Sequence, residues 1–259
     1  MNVPIMADLF AKEEKPEILF WVGAAGSYDD RAKKITRAFV KILNHAKINF
    51  AVLGIEESSS GDVAKRAGNE MLFQMQAMTN IEVLNMYEIK TIVTADPHTF
   101  NTFKNEYPEL GANFKVYHHT QYINKLINDG RLKINDGDIK GKSVTFHDPC
   151  YLGRANNDYE SPREILKNLG VNITEMKRSK TSALCCGAGG AQMFKDSEKG
   201  DKEINILRTE DALETKPQII ATACPYCNTM MTDGIKVKEK EETIEVLDIA
   251  EMIAITNNL

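Results

Sequence analysis

The chain has 259 residues, of which 42% are hydrophobic and 27% charged, with a formal net charge of −5. That is the composition of an ordinary globular protein with room for one large domain or two small ones, and it carries no global basic surface of the kind nucleic acid needs. No apolar run approaches the length of a membrane span, and the opening M-N-V-P-I-M-A-D-L-F lacks the basic region and long apolar run of a secretory signal.

Residues 1–17 read as an arm. Ile18–Val22 is a short apolar run closed by Gly23, the pattern of a buried strand. From Asp29 to Ala46, Ala32, Ile35, Phe39, Ile42, Leu43 and Ala46 recur at three-and-four spacing, which predicts an amphipathic helix with Lys33, Lys34, Arg37 and Lys41 on its wet face. Phe50–Leu53 is a second strand, and Asp62 is expected to cap a long helix running through Gln76 toward Tyr87. Thr91–Ala95 is a third strand, Pro97 starts a helix, Lys115–Tyr117 is a fourth strand, and a helix follows to about Ile127.

Gly130, Gly137 and Gly141, among polar residues between Asn128 and Lys142, mark a boundary that divides the chain into 1–140 and 141–259. The plan then restarts, with strands at Val144–Phe146, Ile173–Met176, Ile219–Ala223 and Ile244–Leu247 and helices from Pro162, over Lys202–Leu213, from Pro225 and at the C-terminus. Strands alternating with helices predict an α/β fold of two tandem, pseudo-symmetric repeats with mainly parallel strands.

All five cysteines fall between Cys150 and Cys227. Cys185 and Cys186 are adjacent and run into Gly187, Gly189 and Gly190. Cys150 lies 35 positions before Cys185, and Cys224 and Cys227 lie 38 and 41 positions after Cys186. Zinc takes four tetrahedral ligands, usually as two spaced pairs. Five thiols from three segments, two of them neighbours, fit an iron–sulfur cluster better. Gly187, without a Cβ, lets backbone approach such a group closely. Unpaired thiols suit a reducing compartment, so a cytoplasmic protein is expected.

Three segments, H-D-P-C-Y-L-G-R (147–154), C-C-G-A-G-G (185–190) and T-A-C-P-Y-C (222–227), resemble the cysteine-rich CCG domain found in heterodisulfide reductases, the glycolate oxidase iron–sulfur subunit and lactate utilisation protein A. The resemblance implies an iron–sulfur redox subunit. Its [4Fe–4S] cluster would be held by Cys150, Cys185, Cys186, Cys224 and Cys227 in a non-cubane arrangement, with a flavoprotein or another Fe–S protein as partner. A conventional four-thiolate cluster with one spare cysteine is the alternative. No transmembrane segment is expected, which leaves room for a peripheral membrane complex.

The halves align on themselves. Gly61 matches Gly187 at an offset of 126, which lays Ala24 on Cys150 and Ser59 and Ser60 on Cys185 and Cys186. At an offset of 128, Asp96 and Thr99 fall on Cys224 and Cys227. The first repeat thus keeps the pattern and lacks the thiols, and a hard-ligand ion site from Asp96, Ser59 and His98 is the one metal reading left to it. Around the intact set, His147 is a candidate for a hydrogen bond to the cluster or for a turn-stabilising role, and Arg154 a candidate for offsetting its charge. His118-His119 reads as structural. Two other functions compete. One is heterodisulfide-type catalysis, which the missing first set argues against. The other is thiol–disulfide exchange at C-P-Y-C, although only 32 residues follow Cys227 and none is proline.

Overall fold

The computed structural model describes residues 2–196 and 200–259. Eight short strands form two four-stranded sheets. The first holds β1 (Ile18–Trp21), β2 (Phe50–Ala51), β3 (Thr91–Thr94) and β4 (Lys115–His118). The second holds β5 (Ser143–Phe146), β6 (Asn172–Ile173), β7 (Ile219–Thr222) and β8 (Glu245–Asp248). The orders, β2-β1-β3-β4 and β6-β5-β7-β8, are the same plan twice, and every paired strand is parallel. All four residues of β1 and of β7 are buried. Such unbroken apolar runs are what a sheet covered on both faces demands.

Helices link the strands as the periodicity predicts. Helix Ala32–His45 buries Ala32, Ile35, Phe39, Ile42 and Leu43. It starts later than Asp29 because the Asp29 carboxylate accepts from the Ala32 N–H at 2.7 Å. This helix packs along Ile249–Thr256, and His119–Asn128 packs along Glu160–Asn168. The first helix of one repeat therefore meets the last helix of the other, twice over. One apolar core, including Phe20, Phe39 and Ile123 from the first half and Phe146, Ile165 and Ile253 from the second, runs between the sheets.

Four local expectations fail. Met1 of the expected arm lies outside the described residues, but the arm itself is docked. Met6–Phe10 is helical, Met6 and Leu9 are buried, and Ile5 bridges to Val52. The long helix from Asp62 is two helices, Asp62–Arg66 and Glu70–Met86, broken at Gly68 (φ 84°) and restarted by Asn69, whose side chain accepts from the Leu72 N–H. Asp62 caps nothing; its carboxylate is turned inward to Arg66 and His98. The strand expected over Ile173–Met176 shrinks to Asn172–Ile173 at the sheet edge, because Glu175 is drawn off to Arg163. The segment between the halves is pinned: Asn135 N–H donates to Asn257, Asn257 donates to the Lys133 carbonyl, and a Cβ on Gly137 would sit 2.6 Å from the Thr256 carbonyl oxygen.

Polar contacts also cross between the halves. His119 Nε2 and Asp248 Oδ1 are 3.0 Å apart, both fully buried, and Arg31 forks onto Glu251 at 2.8 and 2.7 Å. The second ring nitrogen of His119 meets His118 Nε2 at 3.2 Å, and His118 Nδ1 meets Thr120 Oγ1 at 2.7 Å. His118-His119 is therefore tied up inside the molecule. Replacing His119 with Ala leaves the buried Asp248 carboxylate short of a partner and should cost about 3 kcal/mol in urea unfolding. The double variant His119→Ala/Asp248→Ala should lose less than the sum of the single losses. Strict additivity would mean that the pair does not couple the halves.

Candidate metal centre

Each sheet reverses its winding direction between its two central strands, β1/β3 and β5/β7, and a crevice opens at the carboxyl ends of strands at such a point. In the second repeat that crevice receives the cysteines. Cys150 opens a one-turn helix, Cys150–Gly153, after β5. Cys224 follows β7 as the N-cap of helix Pro225–Val237, and its sulfur accepts from the Cys227 N–H at 3.5 Å. Cys185 and Cys186 come on the loop between them. There Gly187 (φ 92°) turns its N–H back to the Cys185 sulfur at 3.3 Å, and Arg154 braces the loop by donating to the Ala183 carbonyl at 2.5 Å. Arg154 is exposed, and this backbone contact is its role in the fold.

All five thiols are free of disulfides. They meet in a chain from Cys150 through Cys185, Cys186 and Cys227 to Cys224. Cys186, Cys224 and Cys227 are buried, and Cys150 and Cys185 are partly exposed. Hydrogen bonds from Cys150 and Cys186 favour a thiolate at Cys185. In turn, the bond to Cys185 and burial push Cys150 upward, and the Cys185 bond raises Cys186. Without a cation the pocket therefore concentrates its negative charge on one sulfur.

His147 adds a directed donor. It is fully buried, and its Nδ1 accepts from Arg208 Nε at 3.0 Å. Burial and the adjacent guanidinium push its pKa down to about 3, so the ring is neutral. A neutral imidazole that accepts at Nδ1 carries its hydrogen on Nε2. That Nε2 has no protein partner. His147 nonetheless groups with Cys186 and Cys227, with one ligand atom from each lying within 4.8 Å of the others. It is thus set up as a hydrogen-bond donor and not as a ligand, which leaves sulfur alone to bind metal. Arg208, fully buried, also has an unpartnered nitrogen, Nη2. Five sulfurs accompanied by unpartnered buried donors fit an anionic iron–sulfur cluster. Nothing in the sequence singled out Arg208, because on a helix it is indistinguishable from a solvated charge.

The counterpart positions in the first repeat also converge. Ala24, Ser59, Ser60, Asp96 and Thr99 all line one cleft with about 630 Å³ of empty space open to solvent. Gly189, Gly190 and Tyr226 of the second repeat form part of its wall. The Asp96 carboxylate caps helix Pro97–Asn101, accepting from the N–H groups of His98 and Thr99 and from the Thr99 hydroxyl. It does for this helix what the Cys224 sulfur does for the other. The N–H groups of Val22 and Gly23 go to Glu57, at 2.9 and 2.6 Å. With Asp96 committed to its helix, the trio Asp96, Ser59 and His98 does not form a group of metal-ligand atoms among the described residues.

His98 dominates the cleft electrostatically. Its Nδ1 is 3.0 Å from Asp62 Oδ2, although the N–H points off the oxygen, so the pair is an ionic contact and not a well-formed hydrogen bond. Its ring lies against Tyr151, with centroids 4.0 Å apart. Burial opposes its charge, but Asp62 and Asp96 outweigh burial and push the pKa up to about 9 from 6.5. A histidine raised in the folded state contributes its stability fully below the unfolded value and loses it as pH rises through the folded one. Urea stability should therefore drop by about 3 kcal/mol between pH 6.5 and pH 9 on this account. In His98→Asn that part of the pH dependence should vanish; an unchanged profile would assign the alkaline loss elsewhere.

Residues 144–232 match the family model of the cysteine-rich domain, CCG. Over 98% of its length the chain is 46% identical to the probable iron-sulfur-binding oxidoreductase FadF of Bacillus subtilis, covering 36% of that protein. It is 41% identical over 96% of its length to the EtfAB:quinone oxidoreductase of Syntrophomonas wolfei, covering 35% of it. It is 32% identical over 93% of its length to a component of the dihydromethanophenazine:CoB–CoM heterodisulfide reductase of Methanosarcina barkeri, covering 59%. The chain thus spans between about a third and three fifths of these relatives. It belongs to the cysteine-rich CCG domain family, and residues 144–232 carry the signature.

Proposed function

We propose that the chain is an iron–sulfur electron-transfer unit with one [4Fe–4S] cluster, bound by Cys150, Cys185, Cys186, Cys224 and Cys227 in the repeat 141–259, while the repeat 1–140 keeps the fold without metal. The observation that carries this reading is the five-sulfur chain with the unpartnered Nε2–H of His147 beside it. A cluster supplies one-electron redox chemistry at a potential set partly by hydrogen bonds to its sulfurs. The chain's own contribution is to exclude water with buried Cys186, Cys224 and Cys227, to hold Gly187 in a left-handed turn and to aim His147.

A flavoprotein or a second iron–sulfur protein is the partner this reading calls for. It is supported by the relative named an EtfAB:quinone oxidoreductase. Exposed Ile204 lies against Gly187, and exposed Phe194 borders the neighbouring cleft, so apolar side chains flank the centre where a partner would approach. No helix among the described residues is long and apolar enough to cross a membrane. Free thiols support a cytoplasmic location, and the relative named a probable membrane-anchored ferredoxin supports a place at the membrane surface. Thiol–disulfide exchange is disfavoured, because Cys224 and Cys227 are both buried, whereas an exchanging thiolate must reach its substrate.

Anaerobic reconstitution should load about four irons per chain, with visible charge-transfer absorption. Cys227→Ala and Cys224→Ala should each lose most of that iron. Zinc without colour, or iron near eight, would sink the single-cluster reading.

The division into two equivalent repeats has its own test. Ala24→Cys, Ser59→Cys, Asp96→Cys and Thr99→Cys together, with Ser60→Cys as a fifth where needed, should rebuild a second centre in the cleft. Iron should roughly double and a new EPR signal appear. A variant that folds by circular dichroism and still takes one cluster would show that the first repeat has diverged in shape as well as in ligands.

A further inference from the structure

We propose that the cleft left by the missing cysteines is a binding site for a small neutral molecule that presents a carbonyl oxygen to Trp21 and His98. The inference goes beyond electron transfer and stands on the chain's own side chains. Trp21, the single tryptophan, lines the cleft; it is fully buried, and its indole N–H has no partner. His98 also lines it and is 8% exposed. Its Nε2 has no hydrogen-bond partner and lies 3.4 Å from where a Cβ on Gly189 would sit. The Ser59 oxygen accepts from the Gly61 N–H at 3.1 Å, which leaves its hydrogen for another acceptor. A buried donor without a partner costs about 1–3 kcal/mol, so a fold that keeps such donors at one cleft has a use for them.

The acceptors around the cleft are already occupied. Asp96 takes the helix N–H groups and the Thr99 hydroxyl, Glu57 takes Val22 and Gly23, and Asp62 takes Arg66 and His98. The cleft therefore offers hydrogens and asks for an acceptor. Charge narrows the class. Asp62 already balances the imidazolium, and the loop that forms one wall carries the electron-rich sulfurs on its other side. A second anion is disfavoured there, whereas a ketone or amide oxygen accepts without adding charge. Trp21, Met193, Phe194 and Tyr226 supply apolar wall for the body of such a molecule. Gly189 keeps the entrance clear, since a methyl group there would sit 3.2 Å from His98 Cε1.

The test uses cluster-loaded full-length protein and two probes of similar size, para-fluoroacetophenone and para-fluorobenzoate, followed by fluorine NMR. The ketone should give a saturable shift, and the acid should bind at least about tenfold more weakly, a difference of about 1.4 kcal/mol. Gly189→Ala, which fills the entrance, and His98→Gln, which removes the imidazolium, should each weaken the ketone about tenfold or more with iron content unchanged. Saturable binding that both variants leave intact would place the probe elsewhere and overturn the proposal. So would an acid that binds better than the ketone, or no saturable shift with either. Iron content reports on the cluster separately, so failure of the cleft reading and failure of the electron-transfer reading are distinguishable.

Discussion

Thiolates repel one another, and the interior of a protein makes that repulsion severe. Five sulfurs gathered at the end of two parallel strands leave most of their number protonated unless a cation joins them. The rest of the second repeat answers this constraint. Arg208 fixes the hydrogen of His147 on the side away from itself. Asp148, beside Cys150, is anchored by the Arg163 fork at 2.8 and 3.1 Å and by the Lys180 N–H. Gly187 bends the double-cysteine loop so that a backbone N–H faces sulfur. Each of these groups lowers the cost of negative charge or removes freedom from a ligand.

The first repeat shows how the same crevice is closed when that charge is gone. Where thiols stand in one half, the other uses the smallest changes that keep the helices capped: a carboxylate for the Cys224 sulfur at Asp96 and a threonine hydroxyl for Cys227 at Thr99, bonded to each other at 2.8 Å. Helix Pro97–Asn101 then packs on the Cys150 helix of its neighbour, which is why His98 reaches Tyr151 and the two crevices share a wall. A vacated metal position has become an ion-paired one, with Asp62, Arg66 and Glu106 extending the network.

Much of this was legible in the sequence because it rests on periodicity and on rare residues. The β1 and β7 runs, the apolar face of Ala32–His45 and the internal repeat were all visible, and the repeat alignment placed Ala24, Ser59, Ser60, Asp96 and Thr99 at a common cleft before any contact was known. What was missed depends on long-range partners that carry no local pattern. Gly68 and Asn69 break a helix whose hydrophobic signal continues across them. The short apolar stretch at Met6–Leu9 gains its order only from the surface it docks on, near Val52. Arg208, Asp62 and Arg163 look like any helical charge until their buried partners are known.

The apolar layer between the sheets draws side chains from both halves, and the His119–Asp248 contact is sealed within the same interior. Neither half owns that interior, so removing either strips the other of a face that water would then meet. Natural selection acting on such a chain can relax its hold on metal-binding positions one at a time, but it cannot discard the segment that bore them. The first 140 residues persist as the other wall of a shared building, free to drift at the crevice and fixed everywhere behind it.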